Sequence, residues 1–500
     1  MKRLDLTPIA LGALAVGLSI SCGSDRDNGD DTSALPPQMT GVSGPSSGAD
    51  GGEEDTGEKL DAGNASGGNG CAGDIGCTDQ IDLLIVLDNS GTMGEEQLNL
   101  ARNFPLLIER LENLTDSEGT PVNPDVQIMV TTTDFANPAC AGSQPADYEP
   151  ARGAPISTAC TSRLGYFTNL TGDVSIPEAC SDSCPTAVEP EGNFIAFSPL
   201  QDNIPDSVVP VDIDGDGDED SPAAQALSCI GPQGINGCGY EAPLEIVLQA
   251  LYSKAAWNDG PDGTNDEPFL RDGALLAIAI ITDEADCSIQ DFTIMSDETY
   301  HEYDPSEMMV RASSALCWNA GVECTGPDGD GVYAECHSTG DKMQPTSRYI
   351  NFLVNQLREG QGKEVIMLGI LGVPPVTARN PDPPFQPTAG GVFDLVYRDW
   401  VDGQYPGGDI LPDEFTAGVT AADKQFDFGI GPGCTGTDAN GDFTGQAIPP
   451  VRIKEVCEAL NLDDTAAGTR CCIESICDDD FSPAIECLTG IIQETIKPQG

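Results

Sequence analysis

Four short stretches of the chain are rich in aliphatic residues, Ile81–Leu87 almost wholly so: Ile81–Leu87, Val126–Thr133, Ala274–Ile281 and Glu364–Val373. Runs of that length predict central strands of a parallel sheet, covered on both faces. Between them the period lengthens. Leu100, Phe104, Leu107, Leu111 and Leu114 recur at helical spacing within Gln97–Leu114, a helix that Pro105 should kink or divide. Pro243–Ala256 reads as a helix with Pro243 in its first turn, and Arg348–Leu357 as one with Ile350, Leu353, Val354 and Leu357 on one side. A last helix should begin at Ser482 as N-cap and Pro483 as first helical residue, turning Ile485, Leu488, Ile492 and Ile496 inward. Strands alternating with helices predict an α/β fold, a doubly wound and mainly parallel sheet.

Three long stretches break this rhythm, near 135–240, 285–345 and 374–480, all rich in Gly, Pro, Asp and Cys. They hold fifteen of the cysteines, and small loop-rich excursions without a large core need such covalent staples. Because strands and helices resume after each, they read as insertions on one scaffold spanning 78–497; separate small domains are the alternative. Cys71/Cys77, Cys180/Cys184 and Cys229/Cys238 are plausible local closures, while adjacent Cys471 and Cys472 should take different partners. With no C-x-x-C pair and only His301 and His337 as histidines, neither thiol redox catalysis nor a Cys/His zinc site is expected.

The first residues change the setting. Lys2 and Arg3 precede a mostly apolar run, Pro8–Ile20, too short to span a membrane, and Leu18-Ser19-Ile20-Ser21-Cys22 resembles a bacterial lipobox. That implies a signal peptide over 1–21 and acylation of Cys22, with plain secretion as the alternative. An exported chain with eighteen remaining cysteines reads as a disulfide framework. Residues 22–77 are Gly, Ser, Asp, Asn and Glu with almost nothing to bury, and should form a disordered tether. The expected location is the bacterial envelope, at the outer membrane or cell surface rather than the inner membrane, with lipid as one partner through Cys22. The balance of 22 Lys+Arg against 82 Asp+Glu, net −60, argues against nucleic acid and anionic lipid surfaces as partners.

Charge also sharpens the chemistry at two strand ends. Asp88-Asn89-Ser90-Gly91-Thr92 follows the first aliphatic run, and Thr282-Asp283 ends the third. Hydroxyls and carboxylates at the tips of buried strands are the oxygen donors a hard divalent cation prefers. The plainer reading is that the Asp side chains only cap loops.

At Asp88-Asn89-Ser90-Gly91-Thr92-Met93 the chain resembles the von Willebrand factor type A family, whose metal-dependent adhesion site opens with Asp-x-Ser-x-Ser after the first strand; Thr282-Asp283 resembles its later acidic ligand. Exported bacterial proteins of that family are also similar at Val130–Asp134, Gly237–Glu241 and Ser475–Cys477. The resemblance implies metal ligation by Asp88, Ser90, Thr92 and Asp283, with magnesium or manganese as the ion. It further implies a protein partner that offers a carboxylate, held for adhesion rather than turnover. Thr92 stands where the family has Ser. The family's third ligand loop supplies a Thr, but here that place falls near Cys238, and Glu241 is the available substitute.

A second cation candidate is Asp212, Asp214, Asp216, Asp218 and Asp220, which follow the first half of a calcium loop but find Ala223 where the closing carboxylate belongs. Structural calcium or a solvated acidic turn both fit. Asp328-Gly329-Asp330 and Asp438, Asn440, Asp442 are weaker echoes. Catalysis is not expected: Glu284 and Asp286 could act as bases to a metal-bound water, yet no hydrolase motif accompanies them. A structural envelope protein with a vestigial metal site is the competing reading.

Overall fold

The computed structural model describes residues 78–497, apart from 171, 173, 261, 262, 264, 266 and 439. Cys22, the lipobox, Cys71 and Cys77 lie outside the described residues. At the centre is a mixed sheet of seven strands: β1 (Gln80–Leu87), β2 (Asp125–Thr132), β3 (Ile195–Ser198), β4 (Gln201–Asp202), β5 (Leu275–Ile281), β6 (Val365–Leu371) and β7 (Cys471–Ser475). Their order is β7-β6-β5-β1-β2-β3-β4. The pairs from β7 through β2 are parallel, and β3 and β4 finish one edge antiparallel.

Alternation along the pleat explains why both faces are covered. Ile81, Leu83, Ile85 and Leu87 of β1 join one core with α1 (Gly94–Glu112), α2 (Pro222–Ile230) and α6 (Ser482–Thr495). Leu84 and Val86 join the other, with α3 (Pro243–Ala250), α4 (Thr346–Ile350, running on through wider turns to Gly360) and α5 (Val451–Glu458). The β1–β5 register, Ile81↔Leu275 to Leu87↔Ile281, ends both strands level, so that Asp88 and Thr282 emerge side by side. From β1 the chain steps to β2 on one side; from β5 it steps to β6 on the other. Such a reversal leaves a crevice at the carboxyl ends of the two strands, where open α/β sheets bind ligands.

Several expectations need correction. Pro105 is buried within a continuous α1, so of the two effects expected of it division does not occur. Helix α3 stops at Ala250, and turns fill the rest of the expected span. Ser482 is not an N-cap: it lies inside α6, and its N–H donates to Asp480 Oδ1 at 2.9 Å. The stretch 374–480 is no mere excursion, because it supplies scaffold helix α5 and edge strand β7; likewise 135–240 supplies β3, β4 and α2. Outside these, the excursions build three small two-stranded sheets and one of three strands.

Among the described residues eight disulfides join Cys140–Cys238, Cys160–Cys180, Cys184–Cys229, Cys287–Cys317, Cys324–Cys336, Cys434–Cys477, Cys457–Cys471 and Cys472–Cys487. The local closures Cys180/Cys184 and Cys229/Cys238 are therefore wrong. Cys180 sits on the short helical turn Glu178–Ser181, and Cys184 crosses instead to α2. Cys471 and Cys472 do take different partners, as alternation on a strand requires. This many disulfides is compatible with an oxidising, extracytoplasmic compartment. Among the described residues no helix is long and apolar enough to cross a membrane.

Candidate metal centre

Asp88 is fully buried just past β1, with both carboxylate oxygens engaged: Oδ1 accepts the Ser90 N–H at 2.7 Å and Oδ2 the Thr282 hydroxyl at 2.5 Å. The first bond is the Asx turn that a loop-capping Asp would make. It also folds the loop back so that the Ser90 and Thr92 hydroxyls lie 3.4 Å apart. Asp283, next to Thr282, is 5% exposed and its Oδ1 has no hydrogen-bond partner. Gly91 and Thr92 are exposed, and a Cβ built on Gly91 would meet nothing within 4 Å, so the loop opens to solvent there.

Glu241 comes to the same place from the segment before α3. It is wholly buried, and neither carboxylate oxygen makes a hydrogen bond of regular geometry, although the Thr133 hydroxyl and the Asp88 carboxylate lie near enough to interact with it. Cys238 is tied to Cys140 and offers no thiolate. Two contacts fix this segment against the first loop. The Gly237 N–H donates to the Asn89 carbonyl at 2.7 Å. Gln97 on α1 donates to the carbonyls of Asp88 and Gly234 and accepts the N–H groups of Gln233 and Gly234. The approach at Gly237 leaves no room for a side chain, since a Cβ would sit 2.3 Å from Asn89 Oδ1. Gly237→Ala should therefore cost about 1–3 kcal/mol by overpacking, read as a lower denaturant midpoint; an unchanged midpoint would mean that the two loops are not clamped.

Glu284 and Glu96, the latter on the first turn of α1, complete an unusual electrostatic setting. Burial raises Asp88 to about 6, opposed by the Thr282 and Ser90 hydrogen bonds. Burial and then the Asp88 charge raise Asp283 to about 8. Burial followed by Asp88 lifts both Glu241 and Glu284 well above the usual carboxylate range; for Glu96 the second cause is Asp283. None of these five carboxylates takes part in an ion pair among the described residues. Burying unpaired carboxylates together is costly unless protons or a cation compensate them. Asp286 is different. Arg452 Nε donates to its Oδ2 at 2.9 Å, while Leu244 N–H and the Ser288 hydroxyl bind its Oδ1. It is a structural clamp between α3 and α5, with no oxygen to spare as a base.

The other acidic candidates lie elsewhere. Asp212, Asp214 and Asp216 are exposed, with carboxylate oxygens within 4.8 Å of one another. Their oxygens accept N–H groups of the same turn, at Gly215, Gly217, Asp216 and Asp218. Asp220 instead turns back to the Ile213 N–H at 2.7 Å, and Asp218 stands outside the close trio. Asp328 and Asp438 cap hairpin turns through backbone N–H groups. Cys472, Glu474 and Cys487 also converge, but the sulfurs are bonded to each other and Glu474 is paired with Arg379. A broad concavity of about 650 Å³ lies at the opposite, amino end of β1 and β2, around Asp79, Asn123 and Asp125. Its lining includes no buried side-chain atom without a partner.

Sequence reasoning placed Asp88, Ser90, Thr92, Asp283 and Glu241, and the structure brings these five to one crevice. It missed Glu96, which in sequence is one of two acids in a helix's first turn, where the helix dipole alone accounts for them. The chain matches no protein-family model, no curated protein and no solved structure.

Proposed function

We propose that the chain is a binding module of von Willebrand factor type A kind, an envelope-tethered protein that captures a protein partner through a divalent cation. The single observation carrying this reading is the convergence of Asp88, Asp283 and Glu241, buried and with three carboxylate oxygens making no hydrogen bond of regular geometry, on the crevice between β1 and β5. The strand order, with the first two strands running one way from the crevice and β5 to β7 the other, supports the same reading. The donors fit the ion: all are oxygens, and Asp88, Ser90, Thr92, Asp283 and Glu241 would hold Mg²⁺ or Mn²⁺, whose chemistry here is to bind a partner's carboxylate oxygen. The remaining steps belong to the chain itself. Gln97 and Gly237 hold the ligand loops in register, Asp286 and Arg452 fix the start of α3, and the exposed Gly91-Thr92 corner leaves a way in. Cys22 acylation and the tether would present this head away from a lipid surface.

The test is direct. Calorimetric titration of the full chain with MgCl₂ or MnCl₂ should show one saturable site at the crevice. Capture of partners from envelope extract should be lost with chelator and with Asp88→Ala, the variant remaining folded by its near-ultraviolet circular dichroism. No uptake of either ion sinks the metal reading. Uptake with capture that survives both treatments favours a structural protein whose site takes no part in binding.

A further inference from the structure

Four residues beyond Thr92, the first turn of α1 forms one wall of a second, smaller cleft of about 140 Å³. The opposite wall is the segment leading from β7 into α6. At about 30 Å³ per water, the space suits four or five waters or the end of one long side chain. Leu98, Ile476 and Phe481 give it an apolar part, Asn99 and Thr444 are polar, and its charged groups are Glu95, Glu96, Asp478 and Asp479 with Arg102. Glu96 is the informative member. It is only 7% exposed, lines the cleft, and its Oε2 has no hydrogen-bond partner. Behind it the hairpin Cys434–Ala447 closes tightly: Gly445 has φ +144°, and a Cβ there would come within 2.6 Å of Glu96 Oε1.

A buried, unpartnered carboxylate beside apolar side chains in an acidic cleft suits a cationic head on an alkyl stem. Lys and Arg are built that way, with apolar methylenes behind a charge. We propose that this cleft receives an Arg or Lys side chain of the bound protein partner. The inference rests on the binding reading above and gives that partner its chemistry: a positive side chain close to the group the metal grips. Complementarity of charge with a chain of net −60 points the same way.

The probe is agmatine, a guanidinium on a four-carbon stem, followed on the full chain by saturation-transfer NMR with EDTA present and again in magnesium. Binding should saturate with a dissociation constant of about 1 mM, since one small contact is all that is made. Glu96→Gln should weaken it at least tenfold, as expected for losing a charge-assisted pair. Asp478→Asn should weaken it less and serves as the second variant should Glu96→Gln fail to fold. Absence of saturable binding, binding indifferent to both substitutions, or displacement of agmatine by stoichiometric magnesium would overturn the proposal. Metal uptake without agmatine binding sinks the cleft alone; agmatine binding without metal uptake sinks the metal reading alone.

Discussion

Asp283→Asn should abolish metal binding and at the same time make the metal-free protein more stable. The two effects have one cause. Asp283 offers a buried oxygen with no partner beside the Asp88 charge, which is what a cation would use and what the empty fold tolerates least. Outer-shell groups at metal sites typically contribute 10–100-fold in affinity, so losing a direct carboxylate should cost on the order of 100-fold or more. The amide keeps the shape and removes the ionisable group. At neutral pH the metal-free variant should gain on the order of 3 kcal/mol over the wild type, the cost of holding that carboxyl away from its ordinary ionisation. Thermal unfolding with EDTA and with excess magnesium separates the two. Wild type should gain about 3 °C at a hundredfold excess over the dissociation constant, on the scale expected for a unit of this size. The variant should start higher and gain nothing. A variant that starts lower, or still responds to magnesium, would mean that Asp283 is an ordinary hydrogen-bonded loop residue.

That pairing of lower affinity with higher stability separates a ligand from a brace. Arg452 illustrates the brace. Its guanidinium, fully buried, holds Asp286 and the carbonyls of Thr339 and Gln344, so its loss would leave Asp286 unpaired and weaken the fold directly.

The central strands and the candidate site were legible in the sequence for the same reason. Leu83–Leu87 and Leu275–Ile281 are unbroken aliphatic runs that only a doubly covered strand accommodates, and whatever follows such a strand in an α/β sheet lies at the ligand-binding edge. Where signals failed, tertiary partners had overridden local pattern. Cys471–Ser475 is five residues with two cysteines and a glutamate, yet it becomes a fully buried strand because Arg379 pairs with Glu474 and disulfides occupy Cys471 and Cys472. Ile195–Ser198 lies in a Gly- and Pro-rich stretch and is a strand through its pairing with β2 and β4. Disulfide partners could not be read either, since Cys140 and Cys238 are 98 residues apart and meet only once the fold is formed. Glu96 was hidden by its helix position, and its isolation shows only when Asp283 and Gly445 are placed around it.

Metal-free protein should lose stability as pH rises from about 5 to about 8, and magnesium should remove that slope. Asp88 and Asp283 move from an ordinary 3.8 to about 6 and about 8 on folding, and Glu241, Glu284 and Glu96 shift the same way. Their folded values are raised, so between 3.8 and about 8 the folded chain holds more protons than the unfolded one. Unfolding then releases protons, and stability falls with rising pH by about 1.4 kcal/mol per unit for each proton of difference. The contribution is whole below the unfolded value and gone above the folded one. Once a cation is bound the carboxylates are ionised in the folded state too, and its charge replaces the protons. Magnesium affinity should therefore climb from about pH 6 to about pH 8, with net proton release near pH 7, seen as a heat of binding that depends on the buffer's ionisation enthalpy. Urea unfolding at about pH 5, 6.5 and 8, in EDTA and in millimolar magnesium, tests the slope. Stability that is flat or rising across that window without metal would show that the carboxylates ionise at ordinary pH, and the electrostatic case for a cation between β1 and β5 would fall.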